Sequence, residues 1–242
     1  MEINSQFRDI TLAPTDFTTV LTRLGKIIDS MAEKNVELGK SRWCLKGDSQ
    51  EEAALYPAFD GNGPSPAALA VLNEQFRKSK DQTFVSIWDG NETSADGASM
   101  VCHVGPQGEL NSMAVEMLGE HGLGIDTVIG TVGQVVQQFN PAYAEVSPPE
   151  YFEKRVFDDK PGVGWMLYLP HVVTVQQVPE ARALIAVPEA GKRQTGTIIV
   201  TVMDAVFSVD NPEHVEIANR IEIRLVDLDL LPRYADLLAP ER

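Results

Sequence analysis

Two pairs of carboxylates have the spacing that most invites chemistry: Asp158-Asp159 and Asp227-Leu228-Asp229. Carboxylates held together can bind Mg²⁺ or divide acid and base roles between them. Both pairs lie beside proline or at the end of a helical pattern, where solvated charges are expected. A small hydrolase with a carboxylate-based site is therefore the alternative reading rather than the leading one. Gly47-Asp48-Ser49 could present a nucleophilic serine, but that serine would need a base and an orienting acid. No late Asp-x-x-His follows, and Ser49 already belongs to a helix-starting box, Ser49-x-x-Glu52. Gly122-x-Gly124-x-x-Thr127 lacks the third glycine of a dinucleotide turn, and no βαβ series surrounds it. It reads as a Gly-rich turn into a helix capped by Asp126. His103, His121, His171 and His214 share no close spacing, and Cys44 and Cys102 form neither a zinc pattern nor a disulfide framework. No catalytic residue, cofactor or metal ligand is assigned.

The chain has 242 residues, 43% of them apolar, enough for real cores. Its net charge of −15 argues against a nucleic-acid-binding surface, which needs cations to replace the counterions on phosphate. The same charge fits a cationic protein partner. The start, Met1-Glu2-Ile3-Asn4-Ser5, has no basic or apolar leader pattern, and no run approaches the roughly 20 apolar residues of a membrane span. The expected location is the cytoplasm.

Hydrophobic periodicity supplies the elements that must position any site. Phe17, Val20, Leu21, Leu24, Ile27, Ile28 and Met31 mark a helix over 14–36. Shorter patterns mark helices over 66–78, 126–139 and 211–228, the last burying Val215, Ala218, Ile221, Leu225 and Leu228. In 126–139 the apolar set is Val128, Ile129, Val132, Val135, Val136 and Phe139, opposite an uncharged face of Thr131, Gln134, Gln137 and Gln138. Ser147-Pro148-Pro149-Glu150 reads as a further helix start. Strands are expected over 2–10, 83–89, 98–104, 110–118, 164–169, 183–187 and 197–203. Short connections make the neighbourhood of 98–118 antiparallel. Clustered strands and separate amphipathic helices give an α+β fold, mainly antiparallel sheet packed with helices. One domain over 1–242 is expected, built as two α+β halves that would meet near 120–125. A long helix precedes a Trp-bearing segment in each half, an echo that duplication or chance would equally produce.

Two stretches carry a resemblance. The first runs Trp43-Cys44-Leu45-Lys46-Gly47-Asp48-Ser49-Gln50-Glu51-Glu52-Ala53-Ala54-Leu55-Tyr56-Pro57-Ala58-Phe59-Asp60. The second, within 151–170, includes Val156-Phe157-Asp158-Asp159-Lys160-Pro161-Gly162-Val163-Gly164-Trp165-Met166-Leu167-Tyr168-Leu169-Pro170. Together they resemble the immunity protein 52 family. The resemblance implies a non-enzymatic antidote to a polymorphic toxin of restriction-endonuclease-like fold, in some cases delivered by type VI secretion. The implied partner is a cognate toxin domain with a basic surface, neither nucleic acid nor membrane.

Recognition is expected on loops held by a rigid scaffold. Two loop regions combine carboxylates with an aromatic anchor: Asp48, Glu51, Glu52, Tyr56 and Asp60 in one, Trp88, Asp89, Glu92 and Asp96 in the other. Ordinary core packing of Tyr56 and Trp88, with the carboxylates simply facing water, is the competing account.

Overall fold

The computed structural model describes residues 1–47, 55–61, 63–91, 97–119, 124–188 and 193–238. In chain order the strands are β1 (Glu2–Phe7), β2 (Cys44–Leu45), β3 (Phe59–Asp60), β4 (Gly63–Pro64), β5 (Thr83–Trp88) and β6 (Gly97–Val104). They continue with β7 (Asn111–Leu118), β8 (Tyr143–Ser147), β9 (Met166–Leu169), β10 (Ala183–Val187) and β11 (Gly196–Val200). Every pairing between these strands for which a register is defined is antiparallel, and the fold is α+β. The chain divides into two compact units, residues 7–140 and residues 1–6 with 141–242. Among the described residues no helix is long and apolar enough to cross a membrane.

In residues 7–140, β2, β5, β6 and β7 lie side by side in that order. Alternation fixes their faces: Val85, Ile87, Met100, Cys102, Met113, Val115 and Met117 are buried, and the residues between them are not. Burial pushes the Cys102 thiol up to about 12, so it packs as an inert apolar group. The helix Phe17–Lys34 contacts β5 and the helix Ile125–Phe139. Its apolar stripe is buried throughout, and the Asp16 carboxylate accepts from the Thr19 amide at 3.0 Å to start it. The strand expected over 2–10 stops at Phe7, because Asp9 turns the chain by accepting from the amide and hydroxyl of Thr11.

In the other unit, the strand order is β10-β11-β9-β8-β1. β8, β9 and β11 are buried along their whole length, so their side chains are covered on both faces. β8 was not anticipated, since Glu145 interrupts its apolar run. The helix Pro212–Asp227 starts where the Asn211 side chain accepts from the Glu213 amide.

Four local expectations need correction. The helix Ile125–Phe139 is capped by Gly124, and Asp126 makes no cap. Thr131 on its supposed polar face is wholly buried, satisfied by donating to the Thr127 carbonyl at 2.8 Å, while Ile129 is only half-buried. Ser147 ends β8 instead of capping a helix; it donates to Glu145, and a five-residue 3-10 turn, Pro149–Glu153, follows. Leu228 is exposed past the end of the helix Pro212–Asp227, and Glu222 is buried on that helix's inner stripe.

Candidate functional site

The first family stretch builds one edge of the sheet. Trp43 is wholly buried and its indole N–H donates to the Leu38 carbonyl at 2.8 Å. Cys44 pairs with Trp88 and Leu45 with Ile87, and the returning chain closes the outer side through Leu45 N–H to the Tyr56 carbonyl and Ala58 N–H to the Trp43 carbonyl. This lattice places Tyr56 and Trp88 on one edge but not together. Lys46 lies across from Ser86 and Cys44 from Trp88, so the two loop regions leave at opposite ends of the β2–β5 pairing.

Tyr56 is half-buried in a groove of about 450 Å³ that it shares with Leu72, Phe84 and Ser86. Asp60 is exposed on β3. Trp88 is half-buried, unlike the fully buried Trp43 and Trp165. Asp89 is not the solvated carboxylate expected: it is 4% exposed, its amide donates to Ala98, and its Oδ1 accepts from the Asn91 amide at 3.0 Å. It organises the turn after β5. Asp48, Glu51, Glu52, Glu92 and Asp96, with the Ser49–Glu52 box, lie outside the described residues.

The second family stretch encloses two carboxylates. Glu222 accepts from the Tyr151 hydroxyl at 2.6 Å, the Val156 amide at 2.8 Å and the Val163 amide at 3.0 Å. Glu145 accepts from the Ser147 hydroxyl and the Gly162 amide, each at 3.0 Å. A Cβ on Gly162 would lie 3.1 Å from a Glu145 oxygen and 3.4 Å from a Glu222 oxygen, so both carboxylates crowd one glycine. Arg155 spans the same region, donating to the Tyr234 hydroxyl and the Asp158 carbonyl. Sequence reasoning missed this pair. Glu222 had a signal, since it falls with Ala218, Ile221 and Leu225 on the helix's apolar stripe; Glu145, in an unanticipated strand, had none.

Burial raises the pKa of Glu145, and Glu222 nearby raises it further, against the opposing hydrogen bonds from Ser147 and Gly162. Burial likewise raises Glu222. A carboxyl whose folded pKa exceeds its unfolded value binds its proton more tightly when folded. Its contribution is therefore fully present below the ordinary 4.5 and is lost as pH climbs through the folded value. Glu145→Gln keeps the packing, because the amide oxygen can accept from Gly162 while its NH₂ donates to Ser147. Denaturant melts at pH 4.5 and pH 7.5 should show this variant losing less stability with rising pH than wild type. Equal slopes would contradict the assignment.

The two pairs singled out for chemistry are all exposed: Asp158, Asp159, Asp227 and Asp229. Asp159 sits 3.8 Å from Arg233, a loose surface contact. Among the described residues no three His, Cys, Asp or Glu side chains gather as metal ligands. The buried pair is saturated by backbone amides and hydroxyls, which suits tying a loop to a helix.

Comparison with known proteins follows the same line. No curated protein matches the chain. Among solved structures, the Pseudomonas aeruginosa T6SS protein PA0821 superposes with a TM-score of 0.55 at 9% identity, covering 93% of this chain and 75% of that one. At that identity the likeness speaks to fold alone. The family model Immunity protein 52 matches residues 18–233, a span that includes both stretches described above. With nearly all of its 242 residues inside that match, the chain belongs to the immunity protein 52 family.

Proposed function

We propose that this chain is an immunity protein that binds and neutralises a cognate secreted toxin of nuclease type, protecting the producing cell and its kin from within the cytoplasm. The family match over residues 18–233 carries this reading. It acts by occupying its target and turns over no substrate. The net charge of −15 supports a partner with a basic surface, as a nuclease cleft must be to hold nucleic acid. The contact region we favour is the β2–β5 edge with its two flanking loops. Tyr56, Asp60 and Trp88 belong to it, with the buried Asp89 holding the turn beside Trp88, and so do Asp48, Glu51, Glu52, Glu92 and Asp96 of the loop sequences.

Co-expression tests the class directly: a nuclease-type toxin domain, sought in the reading frame beside this gene, should kill alone and be tolerated with this chain. Toxicity undiminished by the chain would refute the proposal. Steering has its own signature. Exposed charges are screened beyond about 8–10 Å at physiological ionic strength, so the association rate constant should fall about tenfold or more between low and physiological salt. Stopped-flow mixing measures it, and a rate indifferent to salt would remove charge from the capture step.

A further inference from the structure

Between Lys80 and Lys154 the sequence contains no lysine or arginine. That stretch holds β5, β6, β7 and the helix Ile125–Phe139, and its carboxylates include Asp81, Asp89, Glu109, Glu116 and Asp126. One face of β5–β7 is buried; the other is not. On that other face the register lines up three rows: Phe84–His103–Ser112, Ser86–Val101–Ala114 and Trp88–Ser99–Glu116. All nine residues are half-buried or exposed, with Phe84 38% exposed.

Resting on the neutralisation reading above, we propose that this face of β5–β7 is the surface on which a basic protein partner docks. The middle row is Ser86, Val101 and Ala114, short side chains with one apolar residue at the centre, so an opposing surface can approach closely. Aromatic rings stand at both ends of β5. Phe84 is braced edge-on by Phe76 at 5.2 Å and stacks near His103 at 5.6 Å, so it is ordered before a partner arrives. Glu116 is held on the face by the Ser99 hydroxyl at 3.2 Å, presenting a fixed carboxylate. Lys46 of the adjoining edge, across from Ser86, bounds the face at its β2 side; beyond it the three strands carry a fixed anion and no lysine or arginine, which selects a lysine- or arginine-bearing surface at the β6–β7 side. Three strands about 4.8 Å apart and up to about 27 Å long cover only roughly 400 Å². A standard interface takes about 800 Å² from each partner, so surface beyond the three strands, with the half-buried Tyr56 and the exposed Asp60 nearest to it, completes the contact.

Ala114→Lys and Ser99→Lys place a cation on the face, and Ser99→Lys also neutralises Glu116. Val172→Lys makes the same charge change at a 55% exposed site in the other unit. Binding is measured against a catalytically inactivated form of the toxin domain that the co-expression test identifies. The two face variants should keep the wild-type melting temperature within a few degrees and bind about 100-fold more weakly, while Val172→Lys stays within about threefold. Equal affinities for all three overturn the docking face and leave the neutralisation reading intact. A wild-type chain that fails to bind overturns both. Should a face variant not fold, hydroxyl-radical footprinting of the wild-type complex decides. Phe84, Trp88 and His103 should lose reactivity on binding, and unchanged reactivity at all three overturns the proposal.

Discussion

Replacing Glu222 with alanine should cost about 4 kcal/mol of unfolding free energy, the largest loss expected from any one polar side chain here. The carboxylate is 1% exposed and accepts three hydrogen bonds, from Tyr151, Val156 and Val163. Alanine removes both carboxylate oxygens and leaves the Val156 and Val163 amides without their acceptor, while the Tyr151 hydroxyl keeps only its longer bond to Asn219 Oδ1 at 3.2 Å. Each unsatisfied buried donor costs roughly 1–3 kcal/mol, offset in part by relaxation of the loop and removal of a carboxylate whose burial is itself unfavourable. Against a typical 5–15 kcal/mol of total stability, that is a large fraction. Glu222→Gln separates the causes: its oxygen can still serve Tyr151 and Val163, which bond the same carboxylate oxygen, while its NH₂ faces the Val156 amide. It should fall well short of the alanine loss. Urea melts of both variants measure the difference, and a Glu222→Ala loss under about 1 kcal/mol would show that the network holds little.

The second large effect is expected at Gly164. Its φ is +51°, a region costing a residue with a Cβ about 1–2 kcal/mol. An added Cβ would also meet the Val146 carbonyl oxygen at 2.6 Å and the Ser147 Cβ at 2.6 Å. These neighbours belong to β8, which is buried along its length and cannot retreat. Overpacking adds about 1–3 kcal/mol, so Gly164→Ala should lose about 3–4 kcal/mol in all. The damage would pass to Trp165, whose amide donates to the Val146 carbonyl at 2.8 Å and whose indole donates to Val202 at 2.9 Å. Gly108→Ala is the matched control. Its φ is +85° with nothing within 4 Å of the added Cβ, leaving the backbone cost alone, about 1–2 kcal/mol. Thermal unfolding, followed by near-ultraviolet dichroism at the tryptophans, reads both. Equal losses at the two glycines would remove close approach as the cause.

These two positions show what the sequence could and could not reveal. The helix Phe17–Lys34 was legible because seven apolar residues recur at helical steps and Asp16 caps them. β5, β6 and β7 were legible because one face is wet, which imposes alternation. β8 was not, because a strand covered on both faces has no alternation, and its central Glu145 imitates a surface residue. The carboxylate network depends on residues 145, 162 and 222 meeting, and no local pattern encodes that. Asp89 misled for a related reason: beside Gly90 it looks like a solvated turn residue, yet its oxygen is consumed by the Asn91 amide. Motif residues such as Trp43 and Trp165 were conspicuous by type, but their role as buried anchors emerges only from their burial and their indole hydrogen bonds.

The pairing of Ile3 with Val146 bears on the order of events at the ribosome. β1 is made before its partner β8, which emerges only after residues 7–140 have been synthesised, and those residues form a compact unit of their own. During translation the nascent β1 must therefore wait with an unpaired edge while the intervening unit collapses. A long closure of this kind slows folding and exposes a strand to other chains. The alternating polar residues Glu2, Asn4 and Gln6 reduce its tendency to aggregate over that interval. In refolding from denaturant, the helices and strands of 7–140 should regain protection before β1 and β8 do. A chain built this way becomes competent late in its own synthesis, which favours making it ahead of need.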